Sequence, residues 1–176
     1  MKNHFPLSVL LTAAILLWAC ESQAQSGWTW QNPLPQGNLL NDVEFTDKDT
    51  GIAVGDFGTI LRTMDGGVNW ITVPSRTTDD LYDISFIDQF YGNIVGDHTI
   101  LQTTDGGQTW TMQHHPGWGH LRGISFPSIN TGIVVGYYDA GWEYPPGSVI
   151  VRTTDGGRNW TFQRRYPQGG LHGIFL

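Results

Sequence analysis

Charge, cysteine and long apolar runs are all scarce in this sequence. Asp, Glu, Lys and Arg make up 14% of its 176 residues, against about 25% in an ordinary soluble chain. Nine cations face sixteen acids, for a net charge of −7. A nucleic-acid binder needs clustered cations against phosphate, so no nucleic-acid partner is expected. Cys20 is the only cysteine; no intrachain disulfide can form, and stability must come from packing. The longest apolar run, Phe5 to Ala19, falls short of the ~20 residues of a bilayer-spanning helix. No G-x-x-x-x-G-K-S/T phosphate loop and no recognisable Ser/His/Asp nucleophile context occurs. What the chain does have is 23 glycines, eight tryptophans and many threonines. That composition suits short strands joined by tight turns, and argues against disorder and against a helical bundle.

Lys2 followed by the Phe5–Ala19 run fits a signal-peptide core. Two processing sites compete. Ser22-Gln23-Ala24 puts small residues three and one before a cut at Gln25, which releases a soluble protein. Leu17-Trp18-Ala19-Cys20 resembles a lipobox, which leaves a lipidated Cys20, although Trp18 is bulky for that position. Either product is exported: periplasmic, at the cell surface or secreted. Any membrane contact is expected only through Cys20.

The rest repeats itself. Leu40 to Trp70, Leu81 to Trp110 and Leu121 to Trp160 align, and a fourth copy opens at Leu171-His172-Gly173-Ile174-Phe175. Each copy reads as four strands. The first is L-x-x-(I/V)-x-F: Leu40–Phe45, Leu81–Phe86, Leu121–Phe126. Its alternation suits a sheet with one buried face. The second is Gly51–Gly55, Gly92–Gly96 and Gly132–Gly136; the third is Thr59–Thr63, Thr99–Thr103 and Val149–Thr153. An Asp-Gly-Gly turn then leads into the fourth, read as beginning at Trp70, Trp110 or Trp160. Four antiparallel strands per ~40 residues, repeated, mark β-propeller blades. The fold class is therefore all-β, a propeller with about three blades plus partial strands, its ring incomplete.

Thr103 to Trp110 matches the Asp-box pattern S/T-x-D-x-G-x-T-W in full; Thr63 to Trp70 and Thr153 to Trp160 match with Asn69 and Asn159 in place of Thr. Asp65, Asp105 and Asp155 are suited to accept backbone N–H bonds within their own turns. The glycines tolerate positive φ. Trp70, Trp110 and Trp160 offer large flat areas to a neighbouring blade. All six residues are expected to be structural, not catalytic.

These TTDGG-x-x-W turns, with the L-x-x-I-x-F and G-I-x-V-G strands, resemble the BNR/Asp-box propellers, in particular the photosystem II assembly/stability factor-like family. The opening Trp28-Thr29-Trp30-Gln31-Asn32-Pro33 is similar to the start of its secreted bacterial members. The resemblance implies a propeller over roughly 28–176. It also implies a non-catalytic scaffold that assists assembly or stability of an envelope protein complex. Photosynthetic members are extracytoplasmic chaperones that bind a reaction-centre subunit precursor.

The division expected is 1–24 signal peptide and 25–176 partial propeller, with repeats at about 40–73, 81–114 and 121–163 and a fourth from 171. Trp28-Thr29-Trp30-Gln31 resembles Trp160-Thr161-Phe162-Gln163, so it reads as a lone fourth strand. Closed rings have ~4–8 blades. The chain therefore reads as part of a longer protein whose remaining blades are its partners, or else as a protein completed by self-assembly.

Topology puts the Asp-box turns on one face of the disk and the irregular segments on the other. That second face collects His120, from the loop His114–His120, and Tyr137, Tyr138, Trp142 and Tyr144, from a long loop in the third copy. Asn41, Tyr82, Arg122 and His172 share one repeat position, expected to be solvated near the central channel. The candidate ligand face is thus Tyr82, His120, Arg122, Tyr137, Tyr138, Trp142 and Tyr144, for a protein or glycan partner. The plainer reading is that these aromatics cap the blade. No metal site is expected, since His114, His115 and His120 lie in a Gly/Pro loop that makes a poor cage, and no cofactor is implied. The enzymatic alternative is a glycoside hydrolase, xyloglucanase- or sialidase-like, acting through Asp42 and Asp83; such pairs stand ~5–9.5 Å apart. A sialidase also needs an F-R-I-P segment, which is absent.

Overall fold

The computed structural model describes residues 37–113, 119–138, 147–166 and 172. The segment read as a signal peptide, Cys20, Trp28–Gln31, His114, His115, Trp142 and Tyr144 lie outside them. The architecture is all-β, in three four-stranded antiparallel sheets. Blade 1 holds β1 (Leu40–Phe45), β2 (Gly51–Gly55), β3 (Thr59–Thr63) and β4 (Ile71–Thr72). Blade 2 holds β5 (Leu81–Phe86), β6 (Gly92–Gly96), β7 (Thr99–Thr103) and β8 (Thr111–Met112). Blade 3 holds β9 (His120–Ser125), β10 (Gly132–Tyr138), β11 (Gly147–Thr153) and β12 (Thr161–Tyr166). Within each blade the strands lie in chain order. β1 lies beside β5 and β5 beside β9, so the first strands form the inner wall. Among the described residues no helix is long and apolar enough to cross a membrane.

Several boundaries differ from the sequence reading; β9, for one, runs His120–Ser125 instead of Leu121–Phe126. The fourth strands start one residue after Trp70, Trp110 and Trp160, because each indole belongs to the preceding turn. In blade 3 the hairpin is longer than in its neighbours. Tyr137 pairs with Ser148 and Tyr138 with Gly147, so both tyrosines end a strand instead of lying in a loop. β-branched and aromatic residues at those positions favour continued pairing over a turn.

The Asp-box turns are built alike. Thr63, Thr103 and Thr153 each donate Oγ1–H to the Oδ1 of the Asp two residues on, at 2.8 Å. The same oxygens accept from the N–H of Gly67, Gly107 and Gly157 at 2.9–3.0 Å. Oδ1 of each Asp also accepts the backbone N–H four residues on. Oδ2 accepts from Asn69 Nδ2 (2.7 Å), Thr109 Oγ1 (2.6 Å) or Asn159 Nδ2 (2.8 Å). Asn and Thr interchange there because either supplies the one donor Oδ2 needs. These bonds hold the Asp65, Asp105 and Asp155 carboxyls below their ordinary range; for Asp105 burial works in the opposite direction. Gly107 takes φ +77°, and a Cβ there would stand 2.5 Å from Cδ1 of Ile52 in the preceding blade.

The core lies between blades. Ile52, Val54, Ile60 and Val73 of blade 1 form one buried cluster with Leu81, Ile84, Ile94, Leu101 and Trp110 of blade 2. Val95 and Ile100 of blade 2 join Leu121, Ile124, Val134, Val149, Val151 and Trp160 in the second. Each buried Trp also meets a Phe of its own blade edge-on: Phe86 with Trp110 at 6.2 Å and Phe126 with Trp160 at 5.9 Å. Arg62 Nε donates to the Gly106 carbonyl at 2.9 Å, and Gln102 Nε2 to the Gly156 carbonyl at 2.5 Å. The third strand of one blade is thereby tied to the Asp-box turn of the next.

Trp110 is 2% exposed, so Trp110→Ala should cost ~3–5 kcal/mol, as for other buried large aromatics. Val68, exposed in the Asp-box turn of blade 1, should tolerate Ala within ~0.5 kcal/mol. Urea melts of the two variants check this division; equal losses would contradict it.

Candidate functional site

The inner wall surrounds a half-open cavity of about 490 Å³. Its walls include Asn41, Asp42, Glu44, Tyr82, Asp83 and Arg122. The repeat position Asn41, Tyr82, Arg122 and His172 lines it in all four copies. Each inner strand has one sheet neighbour only, so alternate N–H groups on its free edge need acceptors.

Carboxylates of the preceding blade supply them. Asp42 Oδ2 accepts from Ile84 N–H at 3.1 Å, and Glu44 Oε2 from Phe86 N–H at 2.9 Å. Asp83 Oδ2 accepts from Ile124 N–H at 2.7 Å, while its Oδ1 accepts from Ile84 N–H at 3.0 Å. Asp42 and Asp83 are thus brought together, in register between blades, and both serve the blade joints. Burial pushes the Asp83 carboxyl up to about 7, assisted by its hydrogen bond with Asp42. Burial likewise pushes Glu44 up to about 6 against its bond from Phe86 N–H. Glu44 does not stand out in the sequence, because its partner is a backbone amide in the next blade.

One side of the cavity carries Arg122 among aromatic rings. Arg122 sets its guanidinium carbon 3.5 Å above the Tyr82 ring, within cation–π reach. Its Nη2 donates to Tyr137 Oη at 3.0 Å. Its Nε is buried and has no hydrogen-bond partner among the described residues. Asp97 organises the surroundings: it accepts Tyr82 O–H at 2.9 Å and contacts His120 Nδ1. Burial, then the bond to Asp97, raises the Tyr82 phenol, so its hydroxyl stays protonated as a donor. His120 stacks on Tyr137 at 4.8 Å and lies 5.3 Å from His98. His172 reaches Tyr137 at 6.1 Å. Tyr82, His120, Arg122 and Tyr137 therefore form one cluster, whereas Tyr138 packs against the core of blade 3.

Sequence reasoning misses Asp97 and His98. They sit in the hairpin between β6 and β7, where Asp97 bridges to His120. Only the paired register of two blades exposes that role. Among the described residues no group of three or more His, Cys, Asp or Glu is placed to hold a metal ion.

The raised carboxyls set a pH dependence. A carboxyl with a folded pKa above its unfolded value binds protons more strongly in the native state, so stability falls as pH rises. For Asp83 the window runs from its ordinary value of 3.8 to about 7, and for Glu44 from 4.5 to about 6. Denaturant midpoints should therefore fall as pH rises through this window, and Asp83→Asn should flatten most of that slope. A midpoint that rises over the same window would contradict the assignment.

The family model for photosynthesis system II assembly factor YCF48 matches residues 68–167. Photosystem II assembly lipoprotein Ycf48 of Synechococcus sp. (strain CC9902) is 32% identical over 121 residues, covering 63% of this chain and 36% of the relative. A solved structure of YCF48 bound to D1 peptide superposes with a TM-score of 0.59 at 30% identity, over 73% of this chain and 40% of that one. An ancestral GH74 enzyme matches at TM-score 0.53 and 16% identity, over 70% of this chain and 19% of that one, a likeness of fold alone. The chain thus spans well under half the length of these relatives. Its repeat turns, its blades and these matches agree: the chain belongs to the photosynthesis system II assembly factor YCF48 family.

Proposed function

We propose that this chain contributes three blades of an exported, non-catalytic binding propeller that assists the assembly or stability of an envelope protein complex. The ligand is an extended segment of a protein partner, laid across the mouth formed by Tyr82, His120, Arg122 and Tyr137. The observation that carries this is Arg122: an arginine stacked on one tyrosine, steadied by another, and with a buried Nε that has no partner among the described residues. A stacked guanidinium at a cavity wall supplies directional donors to carboxylate or carbonyl oxygens of a partner. Family membership supports the same reading, and a YCF48 structure holds a peptide. Export is inferred from the apolar Phe5–Ala19 run and from a relative named as a lipoprotein. Trp142 and Tyr144 are proposed to extend the same face.

Glycoside hydrolysis is the second reading, favoured by one observation. Asp83, pushed up to about 7 beside Asp42, keeps its proton towards neutral pH, as a general acid must. Against it, each carboxylate accepts a backbone N–H across a blade joint, which orients it towards protein instead of a sugar.

Selection of binders from a displayed peptide library, followed by titration, tests the binding reading. Arg122→Ala should weaken selected peptides about ten- to a hundred-fold, the range for a lost hydrogen bond to a charged group, with the melt unchanged. Binders indifferent to both Arg122→Ala and Tyr82→Ala would sink it. Polysaccharide turnover abolished by Asp42→Asn and by Asp83→Asn would establish the hydrolase instead.

A further inference from the structure

The three blades share a pairing at the inner wall. In each, the inner-wall side chain bonds the residue fifteen places on, which follows a glycine of the second strand. Asn41 Nδ2 donates to Asp56 Oδ1 at 2.9 Å, Tyr82 O–H to Asp97 Oδ2 at 2.9 Å, and Arg122 Nη2 to Tyr137 Oη at 3.0 Å. The blades differ in what the next blade sets beside that partner. Asp80 and His120 hold one repeat position, just before Leu81 and Leu121. Asp80 brings a second carboxylate to the turn of Asp56, where it accepts the Phe57 N–H. His120 brings an imidazole to Asp97. Of these two joints, only the one between blades 2 and 3 can form an ion pair here.

Asp97 offers a separate oxygen to each neighbour. Oδ2 accepts from Tyr82, and Oδ1 contacts His120 Nδ1 across the blade joint. His120 stacks on Tyr137, Tyr137 accepts from Arg122, and Arg122 lies over the Tyr82 ring. The five side chains close a ring, and Asp97 acts on the guanidinium from both sides, through Tyr82 and through His120 with Tyr137. Among the described residues, the other titratable groups facing this ring are His98, 5.3 Å from His120; His172, 6.1 Å from Tyr137; and Asp80, whose charge acts on Tyr82. Asp42, Glu44 and Asp83 line the same cavity. With the Tyr82 hydroxyl protonated, the ring is neutral overall beside a neutral imidazole and gains one positive charge when His120 binds a proton. The His120 and Asp97 side chains are 21% and 24% exposed, so solvent protons reach them while salt only partly screens the pair.

Resting on the reading that Arg122 engages a partner's oxygens, we propose that Asp97 is the positioning residue of this cluster and couples the protonation of His120 to the display of Arg122. Ionised Asp97 and protonated His120 form a charge-assisted pair that fixes both aromatic supports of the guanidinium. The same proton adds a positive charge beside Arg122. Binding of a carboxylate-bearing segment is therefore strongest below the imidazole range near ~6.5 and weakens as pH rises through it. Blade 1 has no such device, because Asp56 and Asp80 are both acids.

Heteronuclear NMR of the free 176-residue chain tests the coupling before any partner is added. The His120 ring nitrogens and the buried Arg122 Nε–H should titrate with one shared midpoint. Asp97→Asn keeps the side-chain shape but leaves one acceptor oxygen in place of two. It should move the His120 midpoint to lower pH and uncouple the Arg122 signal from it, with circular dichroism unchanged. His120→Gln tests the coupling independently of Asp97 and should flatten the Arg122 step. An Arg122 signal that titrates as before in His120→Gln would assign the step to Asp83 or Glu44 and overturn the proposal. So would a His120 midpoint indifferent to Asp97→Asn. A peptide selected through Arg122 reads the consequence: Asp97→Asn should weaken it about tenfold at pH 6, the scale of a disturbed bond to a charged group, and cost nothing further in an Arg122→Ala background. Equal losses in both backgrounds would make Asp97 merely structural. Failure to select any such peptide would count against the binding reading alone, because the titration of the free chain decides the coupling without it.

Discussion

Each Asp-box turn does two jobs with one set of hydrogen bonds. Thr and Asp fold the turn onto itself through Thr Oγ1, Asp Oδ1 and the backbone N–H groups they accept. That closure fixes the position of a carbonyl, a bare glycine Cα and an indole, all of which face the blade before. The Gly106 carbonyl takes Arg62, Gly107 lies against Ile52, and Trp110 enters the cluster that holds Val54 and Ile60. A local motif therefore specifies contacts between residues from 44 positions apart, as for Arg62 and Gly106, to more than fifty. Without it the blades would have apolar faces but no fixed register between them.

The inner wall meets the opposite problem. First strands carry free edges, and an edge with unpaired N–H groups invites foreign strands. Asp42, Glu44 and Asp83 cap those groups across the joints. Burial raises Glu44 and Asp83 all the same, so desolvation outweighs the amide bonds that favour the charged form. The acids thus fix register between inner strands while leaving the joint responsive to protons.

Much of this is legible in the repeats. Strand count, turn chemistry and the exchange of Asn for Thr at 69 and 159 follow from periodicity and from the donor each turn requires. The shared position of Asn41, Tyr82, Arg122 and His172 also falls on the channel, because a register repeated every blade puts equivalent residues at equal depth. What escapes is pairing between blades. Glu44 binds a backbone N–H that no side-chain pattern announces. Asp97 becomes visible only when the hairpin between β6 and β7 is set beside His120. Tyr137 and Tyr138 read wrongly as loop because they begin an insertion, although its ends continue the ladder.

The distribution of constraint along the inner strands leaves the position of Asn41, Tyr82 and Arg122 free for the binding role proposed for it. One residue deeper, a side chain must either accept a neighbour's N–H, as Asp42 and Asp83 do, or be absent, as at Gly123. Further along, Ile84 and Ile124 must fill the joint. The position of Asn41, Tyr82 and Arg122 is less uniformly bound. Asn41 bridges to the Leu81 carbonyl, Tyr82 to Asp97, and Arg122 to Tyr137, three different solutions at one site. A position that tolerates three chemistries without disturbing the blade is one where a ligand, and not the fold, can select the side chain. Stacking then orders Arg122: Tyr82 below it and Tyr137 beside it limit the entropy lost when a partner's oxygen is engaged.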